Sequence, residues 1–176
     1  MPELVLIVGH VGAGKSTRAK ELANETGAVR LSPDEWMAPL FQHSDPDGMR
    51  DVVEGRLIWT AVEILRAESS VILDFGFWGR DERASLNWLA GTVGATARTE
   101  YLPVDRETQA ERVAQRWRET PEQTWRVTQD ELDKWRALLQ VPDADELAGS
   151  YTMEAPAPGG WREWIAARWP TALGVW

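Results

Sequence analysis

The 176-residue sequence contains no cysteine and only two histidines, His10 and His43. Without thiols the chain can form neither a disulfide framework nor a cysteine-ligated metal site, and it has no thiol nucleophile. No set of His, Asp and Glu residues has the spacing of a transition-metal site. The lack of disulfide chemistry fits a reducing compartment, and we expect a cytoplasmic protein.

Long apolar runs and a basic leader are also missing. No apolar stretch approaches the roughly 20 residues that span a bilayer. The chain begins with Met1-Pro2-Glu3 and has no basic region before its first apolar run. We therefore expect no signal peptide and no membrane partner.

Positive charge is scarce, because 19 lysines and arginines face 28 aspartates and glutamates, for a formal net charge of -9. An acidic surface repels a phosphate backbone, so a nucleic-acid partner is not expected. Tryptophan, in contrast, is abundant, with 11 residues. These side chains either belong to the core or line an aromatic pocket, and composition leaves both interpretations open.

Short apolar runs alternate with amphipathic segments along the chain. The predicted strands are residues 4–8, 28–31, 71–75, 97–104 and 150–153. Continuous apolar runs are typical of strands buried on both faces of a parallel sheet. Helices are predicted for residues 15–26, from Asp45-Pro46 onward, for residues 80–93, after Asp105, and from Thr120-Pro121 and Thr128. The pattern predicts an α/β protein of one domain, a three-layer sandwich with a mostly parallel five-stranded sheet.

The segment from Gly9 to Ser16 matches the pattern G-x-x-x-x-G-K-[ST] between a predicted strand and a predicted helix. Glycines let the backbone wrap around phosphate oxygens, and the N-terminus of the helix adds a favourable potential. Lys15 can reach the β- and γ-phosphates, and Ser16 can ligate Mg²⁺. We therefore predict a P-loop that binds ATP and Mg²⁺ through Gly9, His10, Val11, Gly12, Ala13, Gly14, Lys15, Ser16 and Thr17.

Asp34 follows the second predicted strand, at the sheet edge where ligands bind in open α/β folds. Ser32 and Glu35 have the spacing of a capping box, which predicts a helix start. A carboxylate at Asp34 can orient or deprotonate an acceptor hydroxyl. An acid in a first helical turn also favours the helix dipole without any catalysis, so the local sequence leaves both interpretations open.

Asp74 ends the apolar run 71–73. A carboxylate at the end of a central strand can hold Mg²⁺ through water or contact an acceptor, and it can also simply cap a loop. The residues that follow can form the wall of an acceptor pocket or pack as a loop. The candidates for such a wall are Phe75, Phe77, Trp78 and Arg80.

Arg112 and Arg116 are four residues apart on the helix predicted after Asp105, so they share one helical face. Two cations there can clamp a transferring phosphoryl group, as part of a lid around residues 112–127. They can equally form a solvated face paired with Glu111 and Glu119. A tryptophan-rich C-terminal helix is predicted around residues 160–169.

The P-loop, the run 31–34, the run 71–78 and the run 111–116 occur in the order found in the AAA_33-type P-loop kinases, which the chain resembles over about residues 3–147. That group is related to chloramphenicol phosphotransferase, zeta toxins and the kinase domain of polynucleotide kinase. The resemblance implies an adenylate-kinase-type sheet, an acceptor-activating aspartate at Asp34 and lid arginines at Arg112 or Arg116. The C-terminal tryptophans have no counterpart in it.

We therefore expect an ATP-dependent kinase that transfers the γ-phosphoryl group to a hydroxyl of a small molecule, such as an antibiotic, a nucleoside or a sugar. A polynucleotide 5′-hydroxyl kinase and a regulatory NTPase without an acceptor are the alternatives. The sequence leaves the acceptor and the oligomeric state open. The expected catalytic residues are Lys15, Asp34, Arg112 and Arg116, the Mg²⁺ ligands are Ser16 and Asp74, and the acceptor contacts are Asp34, Asp74, Phe75, Phe77, Trp78 and Arg80.

Overall fold

The computed structural model describes residues 1–42, 46–120 and 126–173. Within these ranges the strands are β1 (Glu3–Gly9), β2 (Val29–Leu31), β3 (Val71–Gly76) and β4 (Thr96–Leu102). The helices are α1 (Lys15–Thr26), α2 (Pro33–Phe41), α3 (Met49–Arg66), α4 (Arg80–Thr92), α5 (Arg106–Glu119), α6 (Gln129–Leu138), α7 (Ala144–Leu147) and α8 (Gly160–Arg168). None of the helices in this part of the chain has both the length and the apolarity needed to cross a membrane.

The strands form one parallel sheet in the order β2-β3-β1-β4. β1 and β3 are central, and their side chains at 4–8 and 71–73 are buried. Continuous apolar runs suit this position because helices cover both faces of the sheet. The predicted α/β class with a parallel sheet is therefore confirmed.

The predicted fifth strand at residues 150–153 is wrong, because the structure describes this segment as irregular. The segment approaches β4 through a side chain, since the hydroxyl groups of Tyr151 and Thr99 are hydrogen-bonded. It lies between Gly149, which has φ of +81°, and Pro156, which has no N–H. So short a segment supplies few ladder hydrogen bonds, and the described sheet has four strands.

Helices cover the sheet on both sides and complete three layers. On one side, alternate residues of β1 such as Leu6 belong to the main apolar cluster, together with residues of α3, α4 and α8. On the other side, Val5 and Ile7 pack with Leu22 of α1. The alternation follows the two-residue period of a strand. It places the carboxyl end of β1, where the P-loop begins, between two packed layers.

Several predicted helix ends are confirmed. α1 ends at Gly27, whose φ is 72°, and the side chains of Asp105 and Thr128 cap α5 and α6. The predicted capping box at α2 is wrong, because Ser32 makes no side-chain capping bond and Glu35 pairs with Arg30 at 2.7 Å. α3 begins later than predicted, at Met49. Asp45 and the predicted helix start at Pro121 lie outside the described residues.

A glycine in the middle of α3 marks where the C-terminal segment is seated. A Cβ atom at Gly55 would lie 2.4 Å from Oγ1 of Thr171 and 2.8 Å from the backbone nitrogen of Ala172. Glycine is unfavourable inside a helix, by about 1 kcal/mol relative to alanine. Its presence is explained by the close approach of residues 171–172. The approach also buries Ile165 and Trp169 against the core.

Candidate active site

The P-loop connects β1 to α1, and two of its glycines have backbone conformations that favour glycine. Gly12 and Gly14 have φ of 80° and 92°. The N–H of Ala13 donates to the carbonyl oxygen of His10 at 3.1 Å, which closes a turn. Nζ of Lys15 donates to the same carbonyl at 2.9 Å. The lysine therefore lies across the loop, where its charge faces the space that a phosphate would enter.

Helix α5 packs against the outside of the P-loop. Nε2 of Gln109 donates to the carbonyl of Val11 at 3.0 Å, and Nη1 of Arg112 donates to the carbonyl of Gly12 at 3.3 Å. A Cβ atom at Gly12 would lie 3.2 Å from Val113, so glycine also allows this close packing. Two P-loop carbonyls are thus held by side chains of α5. Because a peptide C=O and N–H point in opposite directions, this orientation leaves the other side of the loop for an anion.

Lys15 lies among charges of both signs from four other elements. Partial burial lowers the pKa of Lys15, and the positive charges of Arg116 and Arg50 lower it further. The carboxylates of Asp74 and Asp34 oppose this and raise the pKa. Electrostatic interactions weaken with distance, so all four charged groups lie close enough to act on the charge of Lys15. The structure therefore brings Lys15, Asp34, Asp74 and Arg116 together at one site.

Asp34 is the second residue of α2, and its side chain is 72% exposed. Its Oδ1 accepts a hydrogen bond from Nη1 of Arg50, on α3, at 2.8 Å. Arg50 was missed by the sequence analysis, because it is 16 residues from Asp34 and belongs to no motif. The pairing gives the carboxylate of Asp34 a cationic neighbour on α3.

Asp74 lies inside β3 and is almost completely buried. Burial raises the pKa of Asp74, whereas the nearby Ser16 hydroxyl and the charges of Arg30 and Lys15 lower it. Nη2 of Arg30 is 3.5 Å from Oδ2 of Asp74. Among the described residues, Oδ2 has no hydrogen-bond partner. The carboxylate and the Ser16 hydroxyl therefore present hard oxygen ligands next to the P-loop.

The aromatic segment after Asp74 runs beside Lys15, because a Cβ atom at Gly76 would lie 3.6 Å from Cε of the lysine. The rings of Phe75 and Phe77 stack with their centroids 5.1 Å apart. Phe77 is buried and meets Trp169 edge-on at 6.5 Å, so its ring belongs to the core. Of the three aromatic residues of the predicted acceptor wall, Phe75 and Trp78 are more exposed than Phe77.

Arg80 is placed differently from the other predicted site residues. Its guanidinium pairs with Asp143 at 3.0 Å and lies 3.8 Å from Glu146, both near α7. Beneath it, Arg83 and Glu146 form a buried pair at 2.9 Å. Arg83 also donates to the carbonyl of Phe77 at 3.1 Å. The structure thus ties Arg80 to α7, and the predicted contact of Arg80 with an acceptor stays a prediction.

A cleft of about 720 Å³ opens beside the first residues of the P-loop. Its lining includes His10, Tyr101, Thr108, Arg112 and Arg136. Partial burial lowers the pKa of His10, and the charges of Arg136 and Lys15 lower it further, so a neutral imidazole is favoured. A mixed aromatic and polar cleft next to a phosphate-binding loop can accommodate a nucleotide base.

The family profile described as an AAA domain, AAA_33, matches residues 4–142, more than half of the chain. The chain belongs to this family. No curated protein matches the sequence. The family match covers the P-loop, Asp34, Asp74 and the arginines of α5 in one continuous region, and it ends before the C-terminal segment.

Solved structures share this AAA_33 fold at low identity. A candidate kinase from Chloroflexus aurantiacus j-10-fl is 21% identical, over 81% of this chain and 82% of its own, with a TM-score of 0.66. Kti12 of Chaetomium thermophilum, solved in complex with ADP-AlF3, is 14% identical, over 97% of this chain and 100% of its own, with a TM-score of 0.62.

A chain of the Pnkp1/Rnl/Hen1 RNA repair complex is 22% identical, with a TM-score of 0.60. The match covers 79% of the AAA_33 chain but only 44% of that relative, so this chain spans less than half of its length. At such identities the matches show a shared P-loop kinase-like fold and no particular substrate.

The AAA_33 site also contains residues that local motifs do not reveal. Gln109, which is 3% exposed, holds the P-loop from α5, and Arg50 pairs with Asp34. One sequence pattern could have indicated Gln109: it is a polar residue on the apolar face of a predicted helix, four residues before Val113. Arg50 has none.

Proposed function

We propose that this AAA_33 chain is an ATP-dependent kinase that transfers the γ-phosphoryl group of ATP to a hydroxyl of a small molecule. One observation carries the proposal: Lys15 interacts electrostatically with two carboxylates, Asp74 beside the P-loop and Asp34 at the start of α2. A nucleotide-binding protein without an acceptor needs only the first carboxylate. The second, exposed carboxylate suits a hydroxyl that enters from solvent.

On the donor side, Lys15 and the loop amides hold the phosphates of ATP, and the base enters the cleft beside His10. The complex of Kti12 with ADP-AlF3 supports this assignment, because a related fold there holds an adenine nucleotide. Arg112 lines the cleft and contacts the P-loop, whereas Arg116 interacts electrostatically with Lys15. This arrangement favours Arg116 as the cation that stabilises the transferring phosphoryl group and Arg112 as a nucleotide-binding residue.

Mg²⁺ fits the pair formed by Ser16 and Asp74. Mg²⁺ prefers oxygen ligands, and the described residues leave the buried Oδ2 of Asp74 without a hydrogen-bond partner. Arg30, 3.5 Å away, compensates part of the negative charge. When bound, Mg²⁺ would neutralise phosphate charge. Ser16 and Asp74 would hold the ion on the nucleotide side of Lys15.

On the acceptor side, Asp34 orients the hydroxyl, and Phe75 and Trp78 line the approach. Arg50 holds one oxygen of this carboxylate by a hydrogen bond, and a carboxylate held in place suits orientation of the hydroxyl. We further propose that residues 112–127 act as a lid over the phosphates and that the chain works as a single domain in the cytoplasm. Residues 121–125 of this lid lie outside the described part of the chain.

Two substitutions separate nucleotide binding from transfer. Lys15→Ala should abolish the thermal stabilisation that ATP and Mg²⁺ give, whereas Lys20→Ala, on the exposed face of α1, should retain it. Asp34→Asn should retain the stabilisation and reduce transfer, by roughly 100-fold if it removes a positioned acid–base group. Glu35→Gln, one residue further along α2, is the matched control. Transfer that survives in Asp34→Asn would make Asp34 a helix-start residue only.

A polynucleotide 5′-hydroxyl kinase is the second candidate, and the fold shared with a chain of an RNA repair complex favours it. The net charge of -9 opposes it. Phosphorylation of an oligonucleotide at a 5′-hydroxyl, weakened by added salt, would establish this activity. A regulatory NTPase would instead hydrolyse ATP at a rate that no acceptor changes.

A further inference from the structure

Trp169 connects the C-terminal segment to the acceptor side of the site through hydrogen bonds. Its Nε1 donates to Oε2 of Glu54 at 3.0 Å. The other oxygen of Glu54, Oε1, accepts from Nε of Arg50 at 2.9 Å. Arg50 in turn donates through Nη1 to Oδ1 of Asp34 at 2.8 Å. These four residues form a continuous chain of hydrogen bonds, the Trp169–Asp34 chain, that runs from the core to the surface.

The chain becomes more buried at each step away from Asp34. The side chain of Asp34 is 72% exposed, that of Arg50 is 26% exposed and that of Glu54 is 8% exposed. An exposed ion pair alone stabilises little and leaves both side chains mobile. Here the guanidinium is held at its Nε by a buried carboxylate, which restricts its rotamers before it reaches Asp34. The exposed aspartate is therefore held by a partner that is itself fixed.

The neighbours of Glu54 act on its pKa in opposite directions. Burial raises the pKa of Glu54, and the nearby carboxylate of Glu82 raises it further. The charges of Arg50 and Arg168 and the hydrogen bond from Trp169 lower it. Loss of the indole donor therefore makes the buried carboxylate easier to protonate, and a neutral Glu54 holds Arg50 less tightly.

The ring of Trp169 is fixed by the core and also reaches the aromatic segment after Asp74. It meets Phe77 edge-on at 6.5 Å and Trp164 edge-on at 5.7 Å. Thr171, two residues later, donates to the carbonyl of Val52 on α3 at 2.5 Å. Arg168 also pairs with Asp51 on α3 at 2.6 Å, so the C-terminal segment is hydrogen-bonded to α3 by three contacts. The hydrogen bond from Trp169 is the one that leads to Asp34 through Glu54 and Arg50.

We propose that Trp169, Glu54 and Arg50 are positioning residues that hold the carboxylate of Asp34 for the acceptor hydroxyl. This inference rests on the proposed function, because it requires an acceptor at Asp34. It gives the tryptophan-rich C-terminal segment a part in phosphoryl transfer: the segment completes the acceptor side from the far end of the chain. Oδ1 of Asp34 is held by Arg50, and Oδ2 faces the hydroxyl.

A double-mutant cycle tests whether Glu54 affects phosphoryl transfer through Asp34. Glu54→Gln should lower kcat on the order of 10- to 100-fold, because it loosens the geometry of one reacting group. The affinity for ATP should not change. In an Asp34→Asn background Glu54→Gln should have little further effect on kcat, because the carboxylate that Glu54 helps to position is already absent. Equal losses of kcat in both backgrounds would overturn the proposal, because they would indicate a general structural effect.

A second measurement does not depend on activity. The Nε–H proton of Arg50 should give a protected NMR signal in the wild type, and Trp169→Phe and Glu54→Gln should remove the protection. Thr171→Val, which removes the hydrogen bond of the same segment to Val52 on α3, should retain the protection, and thermal melting confirms that each variant is folded. An Arg50 signal unaffected by Trp169→Phe would overturn the proposal.

The experiments distinguish failure of the proposed function from failure of the proposed role of the Trp169–Asp34 chain. A wild-type protein that transfers phosphate to no acceptor refutes the proposed function and the catalytic role of the Trp169–Asp34 chain. Transfer combined with an unchanged Arg50 signal in Trp169→Phe refutes only the role of the chain.

Discussion

Replacing Gly55 with alanine should destabilise the protein, although alanine is the better helix former. A helical Gly→Ala change normally stabilises by about 1 kcal/mol. At Gly55 the added Cβ would lie 2.4 Å from Oγ1 of Thr171 and 2.8 Å from the nitrogen of Ala172. The threonine side chain can rotate away, but the backbone nitrogen cannot move without shifting the segment that carries Trp169.

The expected change in the free energy of unfolding is the difference between two opposing contributions. Overpacking a well-packed contact costs typically 1–3 kcal/mol, and a backbone clash falls at the upper end of this range. Subtracting the helical gain of about 1 kcal/mol leaves a net loss of about 1–2 kcal/mol. For a chain of this size, about 2–4 °C of melting temperature correspond to each kcal/mol, so Tm should fall by about 2–8 °C.

Gly91 on α4 provides the matched control, because no heavy atom lies within 4 Å of the position of its Cβ. Gly91→Ala should therefore raise Tm, by about 1–4 °C for a gain of about 0.5–1 kcal/mol. Thermal unfolding followed by circular dichroism measures both variants under the same conditions. A Gly55→Ala variant as stable as Gly91→Ala would refute the close seating of the C-terminal segment on α3.

Two further predictions concern buried charges. Glu146→Ala should destabilise the protein by about 3–5 kcal/mol, because it leaves the guanidinium of Arg83 buried without its carboxylate, and chemical denaturation measures the loss. Asp74→Asn should stabilise the ligand-free protein at neutral pH, because burial raises the pKa of Asp74 and the folded state binds its proton more tightly than the unfolded state. This stabilisation should disappear as the pH falls below about 4, the pKa of an aspartate in the unfolded chain. The variant should also lose the Mg²⁺-dependent part of its stabilisation by ATP. Thermal melting at several pH values, with and without Mg²⁺, measures both effects, and the absence of both would contradict the reasoning.

Local sequence patterns predicted the strand and the helix on either side of the P-loop well. The apolar run before Gly9, the glycine spacing and the helix after Gly14 are all short-range signals, and the structure has the predicted strand, loop and helix there. Asp74 could be located in the same way, because a carboxylate at the end of an apolar run is itself a local pattern.

The acceptor side could be predicted only in part, because its contacts join distant residues. Asp34 and Arg50 are 16 residues apart, and Glu54 and Trp169 are 115 residues apart. No periodicity connects such positions, and the spacing of Arg50 and Glu54 alone indicates only an ordinary ion pair on a helix surface. The prediction of a fifth strand failed for a similar reason, because Tyr151 contacts Thr99 of β4 through its side-chain hydroxyl and not through backbone hydrogen bonds.

The central claim is that the site transfers phosphate to an acceptor hydroxyl, and a screen with ATP labelled in its γ-phosphate tests it most directly. The acceptors are nucleosides, nucleotide sugars, sugars, antibiotics and 5′-hydroxyl oligonucleotides, each incubated with Mg²⁺ and the wild-type protein, Lys15→Ala or Asp34→Asn. Label should pass from ATP to a small-molecule hydroxyl with the wild type only. Release of label as free phosphate at one rate, whatever the acceptor, would contradict the account.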